Sequence, residues 1–509
     1  MENKKMRNMS EKKLKPIHAW LIFGGCMVIV FLLGLLVSSL MERRAEVASI
    51  FNNRKNPMKG IVAQNQKFKS DFPREYETWK ATEETDFRSK YMSSDIQDVL
   101  AERPNMVVLW AGYAFSWDYN SPRGHFHALE DHREILRTGS PTTLYDGSNQ
   151  PGTCWTCKGP DVPRLMEEVG PAEFYKANWA KWGADVVNPI GCSDCHDSET
   201  MDLHISRPAL REAFASMGKD VDKATHNEMR SLVCAQCHVE YYFHDYPETP
   251  EKDQYLTFPW KYGLTLEDAE KYYDEMGYAD YIHKLSKAPI LKAQHPGYET
   301  SLQGIHGQRG VTCADCHMPY VADGGVKYSD HHIQSPLAKM DRTCLVCHRE
   351  SEETLRKNVE ERQEKCLEVR DRLEDLLAKA HIEAKFAWDK GATDAEMKDA
   401  LQDIRKSQWR WDYAVASHGA SFHAPQEVLR LMGDGIDYAG QARLKIAKVL
   451  AKHGFTGEVP MPDISTKAKA QAYIGLDMKD MTEKKDKFMK EIVPQWLSIA
   501  KENGKLLDY

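Results

Sequence analysis

The chain has 509 residues, is 42% hydrophobic and 28% charged, holds 12 Cys and 20 His, and carries a formal charge of −8. Its 22 Tyr, 16 Phe and 12 Trp are too many aromatics for a disordered polymer, and without a basic excess it lacks the electrostatics of a nucleic-acid binder. So low an apolar fraction for this length also argues against an enzyme whose core is built from side chains alone.

Residues 2–15 carry Lys4, Lys5, Arg7, Lys12, Lys13 and Lys15 against Glu2 and Glu11, and residues 19–41 carry no charge. As a helix, that uncharged run spans about 35 Å, enough to cross a hydrocarbon core of about 30 Å. The basic flank stays inside, so the remaining chain is exported and its cysteines face the periplasm or outer surface. The apolar stretch of a cleaved signal peptide is shorter, about 7 to 15 residues. Residues 1–44 therefore read as a cytoplasmic n-region and a retained anchor tethering the protein to the inner membrane, with cleavage near Ala45 to Ala48 as the alternative. Cys26, inside the run, reads as a small hydrophobe.

Residues 45–110 read as short helices and loops, and residues 111–350 are dense in Gly, Pro, His and Cys, the texture of a chain wound around something else. From 352 to 390 the texture changes. Leu355, Val359, Cys366, Val369, Leu373, Leu376, Ala380, Ala384 and Ala387 recur at three- and four-residue spacing, which predicts a long amphipathic helix that ends at Gly391. Thr393 is placed to cap a second helix through about 416, and 426–452 reads as a third, ended by Gly454. So long a helix needs a partner along its length, either a neighbour in the same chain or a second subunit. No clean β alternation of useful length appears. The expected class is mainly α, with residues 45–350 as the cofactor-binding catalytic region and 351–509 as a long-helix region.

Ten cysteines form five pairs with two residues between: Cys154/Cys157, Cys192/Cys195, Cys234/Cys237, Cys313/Cys316 and Cys344/Cys347. Four pairs are followed at once by His196, His238, His317 and His348. Chance would place four such histidines with a probability on the order of one in 10⁵, so the histidine belongs to the motif. Zinc wants two pairs per tetrahedral site, which leaves one of five unmatched, and a disulfide framework likewise gives no reason for the histidine. Covalent haem c explains both, because two thioethers hold the macrocycle and the next side chain lies beneath the iron. Five haems would complete the core of so polar a chain. The first pair ends instead in Lys158, either a degenerate site or a haem with a different axial donor and different chemistry. A lysine ligand must lose its proton, against a reference pKa of about 10.4.

With one Cys-x-x-Cys-Lys followed by four Cys-x-x-Cys-His, the chain resembles the pentahaem cytochrome c nitrite reductases that form ammonia. The resemblance extends over roughly residues 90–500 and includes Leu136-Arg137-Thr138-Gly139, Cys237-His238-Val239-Glu240-Tyr241, Lys292-Ala293-Gln294-His295-Pro296 and His423-Ala424-Pro425. It implies that Lys158 is the proximal ligand of the active-site haem, with Arg137, Tyr241 and His295 lining its open face. A guanidinium and a histidine suit a small anion, and tyrosine and histidine can deliver protons. It implies distal ligands His125, His331, His306 and His423 for the third, second, fifth and fourth haems, with His127, His332 and His418 as structural neighbours. It further implies calcium held by Glu240, the Gln294 side chain and the carbonyls of Tyr241 and Lys292, all hard oxygen donors. Finally, it implies a homodimer through the long helices and electrons from a membrane quinol-oxidising multihaem cytochrome. A purely electron-transferring cytochrome, or sulfite or hydroxylamine reduction at the same haem, are the competing expectations.

Overall fold

The computed structural model describes residues 16–52, 58–141, 150–244, 253–323 and 325–508. The chain divides into two units, Met1–Pro57 and Met58–Tyr509. In the first unit, α1 (Pro16–Asn52) contains a 27-residue apolar span, Pro16–Glu42, of mean hydropathy 2.7 with none of its apolar surface buried. It is long and apolar enough to cross a bilayer. The basic flank expected at residues 2–15 lies outside the described residues.

In the second unit the helices that position the site are α2 (Asn105–Leu109), α3 (Ala128–Glu134), α4 (Pro208–Ser216), α5 (His226–Ala235), α6 (Glu352–Asp389), α7 (Asp394–Ala416), α8 (Pro425–Lys452) and α9 (Met478–Glu491). The three long helices fall where the apolar periodicity predicts them, within a residue or two. Ser351 caps α6 by accepting from Thr354 N at 3.2 Å, with Glu352 and Glu353 in its first turn to complement the helix dipole. Gly391, at φ 93°, follows its end. Thr393 and Glu396 form a reciprocal capping box at the start of α7.

α6 lies against α7 and α8 of its own chain. Its Leu373, Leu377 and Ile382 pack with Met106, Val107 and Trp110 around α2, with Trp411 on α7, and with Val428 and Met432 on α8. Farther along, Ala380, Ala384 and Ala387 meet Ile404, Ala442 and Ile446. Small residues permit the close crossing. A Cβ on Gly435 would lie 2.8 Å from Leu373 Cδ2. Cys366 is buried on the same stripe.

The strand content departs from the sequence expectation only slightly. Three two-stranded antiparallel ladders pair Tyr242–His244 with Tyr255–Thr257, Tyr281–Ile282 with Pro289–Ile290, and Tyr320–Asp323 with Val326–Ser329. Strands of two to four residues are too short to leave a readable alternation. A separate, aromatic core gathers Trp155, Trp179, Trp182, Trp260, Phe174, Tyr175 and Phe488. It is the wall on which the first cysteine motif sits.

Candidate active site

Each Cys-x-x-Cys segment begins or ends a short helical turn. Residues three apart share a helix face, so each turn presents its two thiols to the same side. None of the twelve cysteines is joined in a disulfide.

Nine of the ten motif cysteines are half-buried, and Cys347 is exposed. Val346 before it and His348 after it are exposed as well. The cause is local packing. Cys344 and Leu345 turn inward onto the small cluster of Leu337, Met340, Leu355 and Val359, and the rest of the turn is left at the surface just before α6 begins. The fifth motif is therefore the peripheral one.

Four pairs of histidine rings stand at nearly one spacing. His196 and His331 are 6.2 Å apart between ring centres, His125 and His238 6.4 Å, His317 and His423 6.2 Å, and His306 and His348 6.2 Å. Two imidazoles on opposite sides of one metal ion stand about 6.5 Å apart, from metal–nitrogen bonds of about 2.1 Å and ring radii of about 1.2 Å. The pairs therefore fit a shared iron without rearrangement. Orientation also fits. His196, His317 and His331 place Nδ1 2.8 to 2.9 Å from the carbonyls of Met201, Gln334 and Ser329, which makes Nδ1 the donor and leaves the Nε2 lone pair for a metal. The neighbouring histidines have other partners. His127 contacts Glu130 and the Glu83 carbonyl, and His332 contacts Gln334.

The first motif is held differently. Trp155 is fully buried, stacks on Trp179 at 4.6 Å, donates to the Trp179 carbonyl at 2.9 Å, and meets the His132 ring edge-on at 4.7 Å. Lys158 N donates to the Trp155 carbonyl at 2.9 Å, closing the turn. Among the described residues, Lys158 Nζ makes no hydrogen bond or ion pair, and its charge bears on His132, His295, Cys154 and Cys157.

Arg137 also acts on Cys154. Its guanidinium carbon lies 3.9 Å from the centre of the Phe115 ring, and Nε is buried without a partner. No carboxylate forms an ion pair with it among the described residues, though Asp118 acts on it at longer range, and burial lowers its pKa. Such a cation is available to an anion. The loop that carries it is pinned from three sides. Gln150 accepts from Gly139 N at 2.8 Å and donates to the Arg137 carbonyl, while Lys485 on α9 donates to the carbonyls of Arg133 at 2.8 Å and Thr138 at 2.6 Å. Gly139, at φ 66°, has Phe488 where a Cβ would stand, 2.8 Å away, so no other residue fits. Burial pushes Lys485 down to about 7.

A cavity of about 290 Å³ is bordered by Tyr113, Tyr241, Gln254, Tyr278, Asp280 and Gln294. Beside it lies a dense set of carboxylates, of which Glu240, Glu299 and Asp412 are buried and Asp280 is half-buried at the cavity edge. Glu240 accepts from Gln294 N at 2.7 Å and from Tyr273 OH at 3.1 Å, and Glu299 accepts from Glu240 N at 2.9 Å and Trp260 Nε1 at 2.8 Å. Asp280 accepts from Lys292 N at 2.7 Å and from Tyr278 OH at 3.2 Å. Asp412 pairs with Lys292 Nζ at 2.9 Å. Burial raises all four carboxyls, Asp280 and Glu299 to about 7. A bound cation would displace the protons that burial favours on these carboxyls and hold them ionised. Gln294 Nε2 lies 3.1 Å from the Lys292 carbonyl, so the expected side-chain and main-chain donors converge.

His295 stands with its Nδ1 3.1 Å from that of His238, and burial, His238, His418 and Lys158 hold it well below its ordinary range, neutral. The residues expected from sequence thus gather in one region. Tyr113, Phe115, Asp280 and Asp412 were not foreseen. They lie in no motif, and only the fold brings residues 113, 280 and 412 together.

Residues 64–504 match the family described as cytochrome c552. The cytochrome c-552 of Bacteroides thetaiotaomicron is 66% identical over 496 residues, 97% of this chain and 99% of that protein. That of Porphyromonas gingivalis is 62% identical over 502 residues, 99% of each. Among solved structures, the cytochrome c nitrite reductase of Desulfovibrio desulfuricans, whose catalytic subunit is described with two calcium sites, matches with a TM-score of 0.72 at 29% identity, over 87% of this chain and 96% of that one. With five cysteine motifs, four histidine pairs and this likeness along nearly its whole length, the chain belongs to the cytochrome c552 family, whose members carry haem c.

Proposed function

We propose that this protein reduces nitrite to ammonia in the periplasm, at a site whose proximal ligand is Lys158. The observation that carries the reading is the contrast between four motifs whose histidines each face a second histidine and one motif that ends in Lys158, which has no hydrogen-bond or ion-pair partner among the described residues and shares the neighbours Cys154 and His132 with Arg137. Haem c, which the five cysteine pairs would hold, would supply redox-active iron, with Lys158 in place of a histidine at the first motif. Arg137 binds and orients the nitrite anion, and Tyr241 and His295 donate protons from phenol and neutral imidazole N–H groups. The conversion takes six electrons and seven protons to ammonia, or eight protons to ammonium, and six electrons are more than five irons hold, so a donor must refill the protein during each turnover.

The order of the motifs in space supports a conducting chain. Cys157 lies beside Cys237 and Cys234 beside Cys313, while Cys195 is near Cys234 and Cys344 near Cys316. The first motif therefore adjoins the third, the third adjoins the second and fourth, and the fourth adjoins the fifth. A membrane quinol-oxidising multihaem cytochrome is the proposed donor, α1 the proposed inner-membrane tether, and the α6–α8 region the proposed homodimer surface. Purified protein supplied with reduced viologen should convert nitrite to ammonium mole for mole. Consumption without ammonium sinks the assignment, and no consumption leaves an electron-transfer cytochrome.

Calcium is proposed at Glu240, Gln294 and the carbonyls of Tyr241 and Lys292, where it holds Tyr241 and the segment through His295 against the pocket. Among the described residues no three His, Cys, Asp or Glu side chains converge as a metal cluster, which suits a site that draws on carbonyls. Chelation should lower nitrite turnover about tenfold, with recovery on adding calcium, and Glu240→Gln should abolish the recovery. Undiminished activity in protein shown by elemental analysis to be calcium-free would count against the site.

A further inference from the structure

Outside the pocket, one buried node touches three of the five motifs. Arg207, which precedes Pro208 at the start of α4, is 2% exposed. Its Nε donates to the Thr156 carbonyl at 2.6 Å, and Nη2 to the Gly159 carbonyl at 3.1 Å and to Asp194 Oδ1 at 2.5 Å. Nη1 donates to Ser206 Oγ at 2.9 Å. Thr156 and Gly159 flank Lys158 within and just after the first motif, and Asp194 lies between the cysteines of the second. The third motif joins through Gln236, whose Oε1 accepts from Ser206 N at 2.8 Å and Arg207 N at 3.0 Å, and whose Nε2 donates to the Asp194 carbonyl at 3.2 Å. The variable positions of three cysteine motifs thus converge on the dipeptide Ser206-Arg207.

We propose that Arg207 is a positioning residue for the lysine-ligated iron: it fixes the backbone on both sides of Lys158 and sets the first motif in register with the second and third. This rests on the reading of Lys158 as an axial ligand. A guanidinium carries its donors in a rigid plane, so four bonds made at once leave the bracketing carbonyls little freedom. Burying that charge is costly unless its donors are met, and here each guanidinium nitrogen makes at least one hydrogen bond. On the far side of Lys158, Gly159 approaches the Asn188 carbonyl so closely that a Cβ would stand 2.0 Å from it. Asp161 fixes that wall by accepting from Val187 N at 2.9 Å and Asn188 N at 2.8 Å. Lys158 is therefore held between two constraints, one of which is Arg207. The third motif, whose Cys237 meets Cys157, hangs on the same node, so a shift there would also move the neighbouring redox centre.

Two variants test this in fully haem-loaded, full-length protein. Arg207→Lys keeps the charge beside Asp194 and loses the forked donors. The double variant Arg207→Met/Asp194→Asn removes both charges and leaves neither orphaned. In both, the high-spin EPR signal of the lysine-ligated iron should shift and lose most of its intensity while the low-spin signals of the histidine-paired irons stay. The kcat for nitrite should fall about tenfold with KM within about twofold. An unchanged high-spin signal and kcat, all iron signals changing together, or failure of both variants to load five haems would overturn the proposal, the last two marking Arg207 as a general folding element. The EPR readout does not depend on which substrate is reduced, so absence of ammonium from the wild type counts against the nitrite reading alone.

Discussion

Lys158→Ala is expected to lower nitrite turnover by about 10³-fold, about 4 kcal/mol on the barrier, without loss of covalent haem. Attachment needs only Cys154 and Cys157, whose turn is held by Trp155 against Trp179 and does not involve the lysine side chain. What alanine removes is the only side chain that the first motif offers to an iron. Nothing in the packing compensates, since Lys158 Nζ has no other partner among the described residues and the aromatic wall behind it supplies no donor. A haem count of five by absorbance, together with single-turnover kinetics, separates lost chemistry from lost cofactor. Lys158→His is the sharper companion. It gives the motif the same ending as the other four, and its iron should move toward their low-spin signature, with turnover falling as the open position is contested. Turnover within about tenfold of wild type in Lys158→Ala would remove the lysine from the mechanism.

Arg137→Gln should raise the KM for nitrite by about 10- to 100-fold and leave that for hydroxylamine, an uncharged molecule at neutral pH, nearly unchanged. A hydrogen bond to a charged group contributes about 1.5 to 3 kcal/mol, and the guanidinium has no ion pair among the described residues, is half-buried and is stacked on Phe115, so little of that is lost to competing partners. Glutamine keeps a donor and the approximate length but gives up the charge. The loop should survive, because its pins run through backbone carbonyls to Gln150 and Lys485 rather than through the arginine side chain. Equal losses for both substrates would mean the loop had moved, and no loss for nitrite would take Arg137 out of the anion site.

How much was legible beforehand depends on how local the chemistry is. The cysteine spacing, the following histidine and the exceptional lysine are covalent or first-neighbour features that a single helical turn encodes, so they stand in the sequence without the fold. Capping residues are equally local. Thr393 marks the start of α7 because the cap is a side chain reaching its own helix. The short ladders were illegible for the opposite reason, since strands of two to four residues are set by their partners. Burial of the motifs was illegible too: Cys347 has the same spacing and the same following histidine as the enclosed anchors, yet it lies exposed because its turn falls at the edge of the packed helices. The pairing of His125 with His238, 113 positions away, was reachable only through family resemblance. His125 has two near neighbours of the same type, His127 and His132, and no local pattern ranks them.

Motif content, the apolar α1 span, the three long helices and the irregular first motif follow from residue order alone, because periodicity, charge and thioether chemistry act over a few residues. Which histidine faces which, that Arg137 has no ion-paired carboxylate among the described residues while Lys292 has Asp412, that four acids crowd around the pocket, and that Arg207 ties three motifs together depend on contacts across tens to hundreds of positions. Such contacts are made by packing helices and loops into one interior, where burial costs and hydrogen-bond geometry act on residues that the chain keeps far apart.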